Sequence, residues 1–135
     1  MKIALVITIK NERKLLRNNL EFHHKLGVDL VFIFLDGTED ETEKTIDDLP
    51  YVRVASSVSL DCFQGFAELH ELVINSEEHH TARQMLNMVY AKELAQKEGF
   101  DWLIAIDADE LICPDISIVK LDQLKSFFTI VLNIK

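Results

Sequence analysis

Residues 100–110 read Phe-Asp-Trp-Leu-Ile-Ala-Ile-Asp-Ala-Asp-Glu, a mostly apolar run that leads directly into three acids. A continuous apolar run of this length, placed after Gly99, predicts a strand that is buried on both faces of a sheet. Side chains alternate along a strand, so Asp107 and Asp109 are expected to project to the same side. The strand therefore brings two carboxylates to one place at its carboxyl end.

The charges of this pair have to be offset. At a separation of about 6 Å and an effective dielectric constant of about 20, two carboxylates repel each other by about 3 kcal/mol. A shared Mg²⁺ or Mn²⁺ is the expected partner, because hard divalent ions are bound jointly by a few carboxylates and substrate phosphates. The alternative is that the acids form only the solvated end of the strand, where an aspartate caps the next turn.

Size and composition predict one domain that spans residues 1–135, since 48% hydrophobic residues are enough to fill a core. The net charge of −9 argues against nucleic acid or an anionic membrane as the main partner. The sequence contains no apolar run that predicts a transmembrane segment and no secretory signal pattern at its start. Cys62 and Cys113 lack metal-ligand spacing and are expected to be reduced thiols in a cytoplasmic protein.

Apolar runs and amphipathic segments alternate along the chain. The apolar runs predict further strands at 3–7, 28–35 and 127–134, and the alternating residues at 51–55 predict a shorter one. Helical spacing predicts helices at 12–26 and 79–97, which end at Gly27 and Gly99. This alternation predicts an α/β fold with a mostly parallel sheet flanked by helices.

The segment that follows the strand at 28–35 carries a helix start signal. Thr38 and Glu41 have the spacing of a capping box, so a helix is expected to begin there. That helix would direct Ile46 and Leu49 toward the core.

Polar residues follow three of the predicted strands, and ligands bind beyond the carboxyl ends of the strands in an open parallel sheet. These residues are Asn11, Glu12, Asp36, Asp107 and Asp109. Each has a simpler explanation: Asn11 and Glu12 are typical of a helix start, and an aspartate before a glycine is typical of a turn.

Cations and histidines add fewer candidates. Arg83 lies early in the long helix, where its planar fork suits a base edge or a diphosphate oxygen, although a solvated surface arginine is the alternative. His79 and His80 are adjacent and face apart on a helix, which disfavours a shared metal. His23 and His24 are assigned to the helix face and neighbouring solvent.

Several of these motifs, taken in order, resemble the nucleotide-sugar-binding half of family 2 glycosyltransferases. The resemblance runs from Met1 to about Pro114 and is closest to the branch with an Asn-Glu motif and an Asp-x-Asp-Glu motif. The motifs that carry it are Lys10-Asn11-Glu12, His24-Lys25-Leu26-Gly27-Val28-Asp29, the Asp-Gly-Thr-Glu-Asp turn at 36–40, Arg83, and the stretch at 101–110.

The resemblance implies a GT-A type fold that binds a nucleoside-diphosphate sugar for transfer of the sugar to an acceptor. Asp109 would ligate Mn²⁺ or Mg²⁺ on the diphosphate, and Asp107 would lie beside the ribose or the same metal. The other residues of the implied donor site are Asn11, Glu12 and Asp36 near the nucleoside and Arg83 near the base or phosphates.

The chain also departs from this family. Gly37-Thr38 stands where the branch has Asn-x-Ser, and only twenty-five residues follow Glu110. Family members extend further to build the acceptor site and the catalytic base, and neither Glu110 nor Asp115 sits where the family places that base. The acceptor half is therefore expected to be missing or reduced, so that donor binding is better supported than catalysis.

Two other functions stay open. The first is a non-catalytic nucleotide-binding or assembly module that keeps the fold and forms a homodimer through the strand at 127–134. The second is a phosphohydrolase with Asp107 as nucleophile and Asp109 as acid.

Overall fold

A computed structural model describes residues 1–63 and 65–113, and in these ranges four strands form one parallel sheet. The strands are β1 (Ile3–Ile9), β2 (Leu30–Leu35), β3 (Val52–Ser56) and β4 (Trp102–Ala105). They lie in the order β3-β2-β1-β4, and each neighbouring pair is parallel. The predicted α/β class with a parallel sheet is confirmed, and β1 is the strand from which the chain proceeds to both sides.

Helices connect these strands. The α-helices of the described ranges are α1 (Leu16–Lys25), α2 (His70–Asn75) and α3 (His80–Lys97), and short 3-10 helices cover Thr42–Thr45, Leu60–Phe63 and Ala67–Leu69. None of these helices combines the length and apolarity that crossing a membrane requires. The predicted strand at 127–134 and the acid Asp115 lie outside the described residues.

The two faces of the sheet pack against different helices. All seven residues of β1 are buried, and its six apolar residues alternate between two apolar clusters. Ile3, Leu5, Ile7 and Ile9 pack with Leu16 and Leu20 of α1 on one face, and Ala4 and Val6 pack with Ala91 and Ala95 of α3 on the other. The continuous apolar sequence of β1 is therefore explained by burial on both faces, because a helix packs on each side of this strand.

The strand on which the two aspartates were expected ends earlier than predicted. β4 stops at Ala105, its side chains are half-buried or exposed, and Asp107 begins a turn. The Asp107 N–H donates to the carboxylate of Glu110 at 2.9 Å, and the Glu110 N–H donates back to the Asp107 carbonyl at 3.1 Å. The second bond joins two backbone groups and closes a β-turn, and the first occupies the Asp107 N–H, so the two bonds compete with further strand pairing. The prediction that alternation along a strand aligns Asp107 with Asp109 is thus wrong, since both lie beyond the strand.

The first helix begins later than expected. α1 starts at Leu16 rather than at Glu12, and the backbone of Asn11 is left-handed with φ of 58°. The Asn11 side chain accepts a hydrogen bond from the Glu39 N–H at 2.9 Å. Asn11 therefore joins the loop after β1 to the loop after β2 instead of capping a helix.

The capping box at Thr38 and Glu41 is also wrong. Glu41, which directly precedes the 3-10 helix at Thr42–Thr45, has a left-handed φ of 59° and makes no side-chain capping bond, and the Thr38 hydroxyl donates to the carbonyl of Ile9 at 3.2 Å. The side chain of Asp40 accepts the N–H of Thr42 at 3.1 Å and thereby caps the 3-10 helix that follows. The predicted core positions of Ile46 and Leu49 are nevertheless confirmed.

Candidate functional site

A cleft of about 510 Å³ lies beyond the carboxyl ends of β1, β2 and β4. The residues after these strands form its walls together with the first turns of α3. The chain runs from β1 to β2 and β3 on one side of β1 and then returns to β4 on the other side, so this cleft occupies the topological switch point where α/β sheets bind ligands. Its charged lining residues are Lys10, Glu12, Asp36, Arg83, Asp107 and Asp109, and His80 also lines it.

The cleft collects most of the residues that the sequence nominates. Glu12, Asp36, Arg83, Asp107 and Asp109 all line it, although they come from four separate segments. Asn11 does not line the cleft, and contributes to a separate cavity of about 600 Å³ with Glu12 and Asp40. Reasoning from strand ends thus predicts the place of the four acids but not that of Asn11, and the hydrogen bonds within the cleft differ from expectation.

Asp36 is the most heavily bonded side chain of the cleft. Arg83 contacts it in a bidentate manner, with Nε to Oδ1 at 2.6 Å and Nη2 to Oδ2 at 2.9 Å. The Ser57 hydroxyl donates to Oδ1 at 3.1 Å, and His80 Nδ1 lies 2.6 Å from Oδ2. The carboxylate is only 6% exposed, so these partners rather than water satisfy it.

These contacts keep Asp36 ionised. Burial by itself raises the pKa of Asp36, but hydrogen bonds from Arg83, His80 and Ser57 outweigh it and lower the pKa to about 2. Arg83 is similarly committed, because its Nη1 donates to the carbonyl oxygens of Ser76 at 2.8 Å and Glu77 at 3.3 Å. The pair therefore joins the end of β2 to the start of α3, and Arg83 is not a free cation.

The depressed pKa of Asp36 predicts a pH dependence of stability. Because the folded-state pKa lies below the ordinary value of 3.8, the stabilisation is complete above that value and is lost as pH falls toward about 2. We expect the loss from this group to reach about 2 kcal/mol. Urea unfolding at pH 5 and pH 2.5 should give a smaller change for Asp36→Asn than for the wild type. An equal change in the two proteins would contradict the assignment.

Asn87 forms a second polar network beneath the cleft. Its Nδ2 donates to the hydroxyls of Thr8 and Ser57, both at 3.1 Å, and its Oδ1 accepts the Val58 N–H at 2.8 Å. This buried amide therefore joins α3 to the ends of β1 and β3. Asn87 is not among the residues nominated from the sequence, although an amide between the apolar positions of a buried helix face is a detectable signal.

One of the histidine assignments needs a correction. The prediction for His80 concerned only a shared metal, and its ring contacts Asp36 in the wall of the cleft. His23 was assigned to the helix face and solvent, but it is fully buried and bonded on both ring nitrogens. His24 is exposed as expected, and its ring stacks on Tyr51 with centroids 3.7 Å apart.

The two acids after β4 lie at the open side of the cleft. Asp107 and Asp109 are both exposed, and Asp107 Oδ1 accepts a hydrogen bond from Gln84 Nε2 at 3.3 Å. If Asp36 and Arg83 are set aside as a pair, the remaining charged lining consists of the acids Glu12, Asp107 and Asp109 and the single cation Lys10. The cleft therefore carries an excess of negative charge.

The acids of the cleft suit a metal ion only if water and a substrate supply its other ligands. Among the described residues, no group of three or more His, Cys, Asp and Glu side chains is arranged to hold a metal ion. Two exposed carboxylates suit an ion of the Mg²⁺ or Mn²⁺ type, which keeps several waters and takes its other oxygen ligands from substrate phosphates. Asp107 and Asp109 fit that pattern, and an all-protein cage is not what these residues offer.

A second cavity, of about 280 Å³, adjoins the cleft. The two share Thr8, Gln84 and Asp107, and the second is mostly apolar, with Met85 and Met88 in its wall. Both methionine side chains are exposed. The site thus has a charged compartment and an apolar compartment that meet at Asp107.

Comparison with protein-family models and with curated proteins gives no match for this chain. What bears on function is therefore the chemistry of the cleft: its place at the switch point, its excess of acids and its two compartments.

Proposed function

We propose that this chain is the nucleotide-sugar-binding part of a metal-dependent glycosyltransferase of the GT-A type. The observation that carries the proposal is the acidic cleft at the switch point of a parallel sheet, with Asp107 and Asp109 in its wall. Cofactor and nucleotide sites occupy this position in open α/β sheets. The resemblance of the motifs at 10–12, 36–40 and 101–110 to family 2 enzymes supports the same function.

The charge of the cleft supports a metal-dependent ligand. A diphosphate would be repelled from this cleft unless a cation accompanies it, because three acids and one lysine line the cleft besides the pair of Asp36 and Arg83. Asp107 and Asp109 would hold Mn²⁺ or Mg²⁺ on the side that faces the diphosphate. When bound, the metal supplies Lewis-acid stabilisation of the negative charge that develops on the leaving diphosphate.

The other side chains of the cleft have distinct roles in this proposal. Lys10 is exposed in the wall and contributes a positive charge to the phosphates. Glu12 borders the nucleoside and can accept hydrogen bonds from ribose hydroxyls. Asp36 and Arg83 are hydrogen-bonded to each other, so their role is to fix the shape of the cleft where the nucleoside would bind.

The apolar compartment would hold the sugar of the nucleotide sugar. It begins at Asp107, where the diphosphate would end, and its methionines offer an adaptable apolar surface to one face of a sugar ring. Glu110 is occupied in the turn by the Asp107 N–H, so it is not assigned as a catalytic base. The proposal therefore concerns the donor site.

Calorimetric titration with UDP and GDP, in Mn²⁺ and in EDTA, tests the proposal. We expect at least one of the two nucleotides to bind at least tenfold more tightly in Mn²⁺. Equal binding in both buffers, or none at all, would overturn the proposal. Incubation with the corresponding UDP- or GDP-sugars separates an enzyme from a binding module, because only an enzyme releases UDP or GDP over time.

A further inference from the structure

Two buried polar residues of α1 reach the turn that follows β4. Asn19 and His23 are one helical turn apart, and they are 4% and 0% exposed. Asn19 Nδ2 donates to the carbonyl oxygens of Ala108 at 2.9 Å and Glu110 at 2.7 Å. These two carbonyls flank Asp109, so one amide group holds the backbone on both sides of a proposed metal ligand.

His23 extends the same contact. Its Nε2 lies 3.1 Å from the backbone nitrogen of Ile112, and its Nδ1 lies 2.9 Å from both the carbonyl oxygen and the side-chain oxygen of Asn19. A backbone N–H can only donate, so Nε2 accepts and the ring proton resides on Nδ1. Nδ1 then donates to Asn19, which orients the Asn19 amide toward the turn. Burial lowers the pKa of His23, which favours this neutral form.

The placement of this pair calls for an explanation beyond packing. Asn19 and His23 lie on the same helix as Leu16 and Leu20, which are fully buried against β1. Burying an amide and an imidazole there costs free energy unless each polar atom is bonded. All the bonds that satisfy them lead to each other or to residues 108–112. The pair thus connects α1 to one short segment of the chain.

We propose that Asn19 and His23 are positioning residues that hold the turn at 107–112 in the geometry in which Asp107 and Asp109 bind a metal–diphosphate ligand. The inference rests on the proposed function for the identity of that ligand. Neither residue touches the ligand itself. They act on the backbone that carries the two carboxylates, as outer partners of metal ligands commonly do.

The test compares variants that keep or remove the hydrogen bond to Ile112. His23→Gln keeps an acceptor near the position of Nε2, and His23→Leu removes it. Amide exchange of Ile112, measured by NMR, and the ratio of UDP or GDP dissociation constants in EDTA and Mn²⁺ are the two readouts. Ile46→Val is the control, because Ile46 belongs to the same apolar cluster as Leu16 and Leu20 of α1 but makes none of these hydrogen bonds.

We expect His23→Leu to speed Ile112 exchange at least tenfold relative to β1 and to reduce the Mn²⁺ enhancement about tenfold. His23→Gln should retain most of the protection of Ile112 from exchange and most of the Mn²⁺ enhancement. Ile46→Val should lower the free energy of unfolding while keeping the Mn²⁺ enhancement. If His23→Leu does not fold, His23→Asn replaces it, since asparagine is too short to reach Ile112.

The outcomes separate this inference from the function on which it rests. A wild-type Mn²⁺ enhancement that survives His23→Leu overturns the positioning role alone. Unchanged Ile112 exchange in that variant has the same consequence. Absence of Mn²⁺-dependent binding of UDP and GDP in the wild type overturns the proposed function and the positioning role together, whatever the exchange rates show.

Discussion

Replacing Asp109 with asparagine will weaken nucleotide binding in Mn²⁺ and remove most of the enhancement, of about tenfold or more, that Mn²⁺ gives the wild type. The substitution keeps the size of the side chain and removes one of the two carboxylates that we propose as metal ligands in the cleft. Loss of an outer partner of a metal ligand typically costs about 10–100-fold in metal affinity, so loss of a ligand itself should leave little metal bound. Asp107→Asn should act in the same direction.

In EDTA the same substitution should have the opposite effect. Without a metal, each acid of the cleft repels the diphosphate, by about 0.7 kcal/mol per unit charge at about 6 Å in water. Asp109→Asn should therefore bind UDP or GDP about threefold more tightly than the wild type in EDTA. A role for Asp109 in folding alone would weaken binding in both buffers, so the change of sign is diagnostic.

Calorimetry in the two buffers measures both effects. Asp47→Asn is the matched control, since Asp47 is an exposed acid that does not line the cleft and its replacement changes the net charge equally. We expect this control to bind like the wild type in Mn²⁺ and in EDTA. Affinity in Mn²⁺ that is the same for Asp109→Asn and Asp47→Asn would contradict a metal at this place.

The apolar runs of the sequence predict the sheet because the central strands are buried on both faces. β1 and β2 lack a solvated side, so they show no alternation, and the helical segments between them require parallel crossovers. Once the strands are parallel, their carboxyl ends share one edge. Four of the five residues expected at strand ends could be placed together in this way without any knowledge of contacts.

The sequence could not predict which polar groups bind each other. Asp36 and Arg83 were each expected to face a nucleotide, yet they are 47 residues apart in sequence and satisfy one another. Histidine is a residue type that is often partly exposed on a helix. His23 has a buried partner only because the chain comes back to it at Ile112. Such pairings depend on long-range packing, whereas periodicity reports only which face of an element is covered.

Local competition explains the errors at element ends. The strand at 100–110 was extended too far because the acid Glu110 closes a turn on Asp107, and hydrophobicity alone does not register that bond. Similarly, Asp40 rather than Thr38 caps the 3-10 helix at Thr42–Thr45. Threonine and aspartate are both favourable capping residues, but the Thr38 hydroxyl bonds the carbonyl of Ile9, whereas the Asp40 carboxylate accepts the Thr42 N–H across the left-handed residue Glu41.

Replacing Arg83 with methionine will cost about 3 kcal/mol of the free energy of unfolding. Methionine keeps much of the arginine stem but leaves Asp36, 6% exposed, without its bidentate partner. Removing one member of a buried pair is strongly destabilising because the other charge stays buried and uncompensated. The side chain of Arg83 is 30% exposed, which sets the expected cost at the lower end of the range for buried pairs.

Arg53→Met is the matched control, because Arg53 also pairs with an acid, Glu98, but its side chain is 52% exposed. Exposed pairs contribute at most about 1 kcal/mol. Urea denaturation should therefore show a clearly larger loss for Arg83→Met than for Arg53→Met, with similar m-values. Equal losses would mean that the bond to Asp36 is no stronger than a surface contact.

The double variant Asp36→Asn/Arg83→Met decides how the loss arises. If the main penalty is a buried charge without a partner, neutralising Asp36 removes that charge, and the double variant will be less destabilised than the two single losses added together. Additive losses would instead mean that each residue acts separately.

Because Arg83 also holds the carbonyls of Ser76 and Glu77, both variants that lack it should release the start of α3, which carries His80 and Gln84 into the cleft. Nucleotide affinity should then fall in Mn²⁺ and in EDTA alike, a pattern that distinguishes loss of the cleft's shape from loss of its metal ligands.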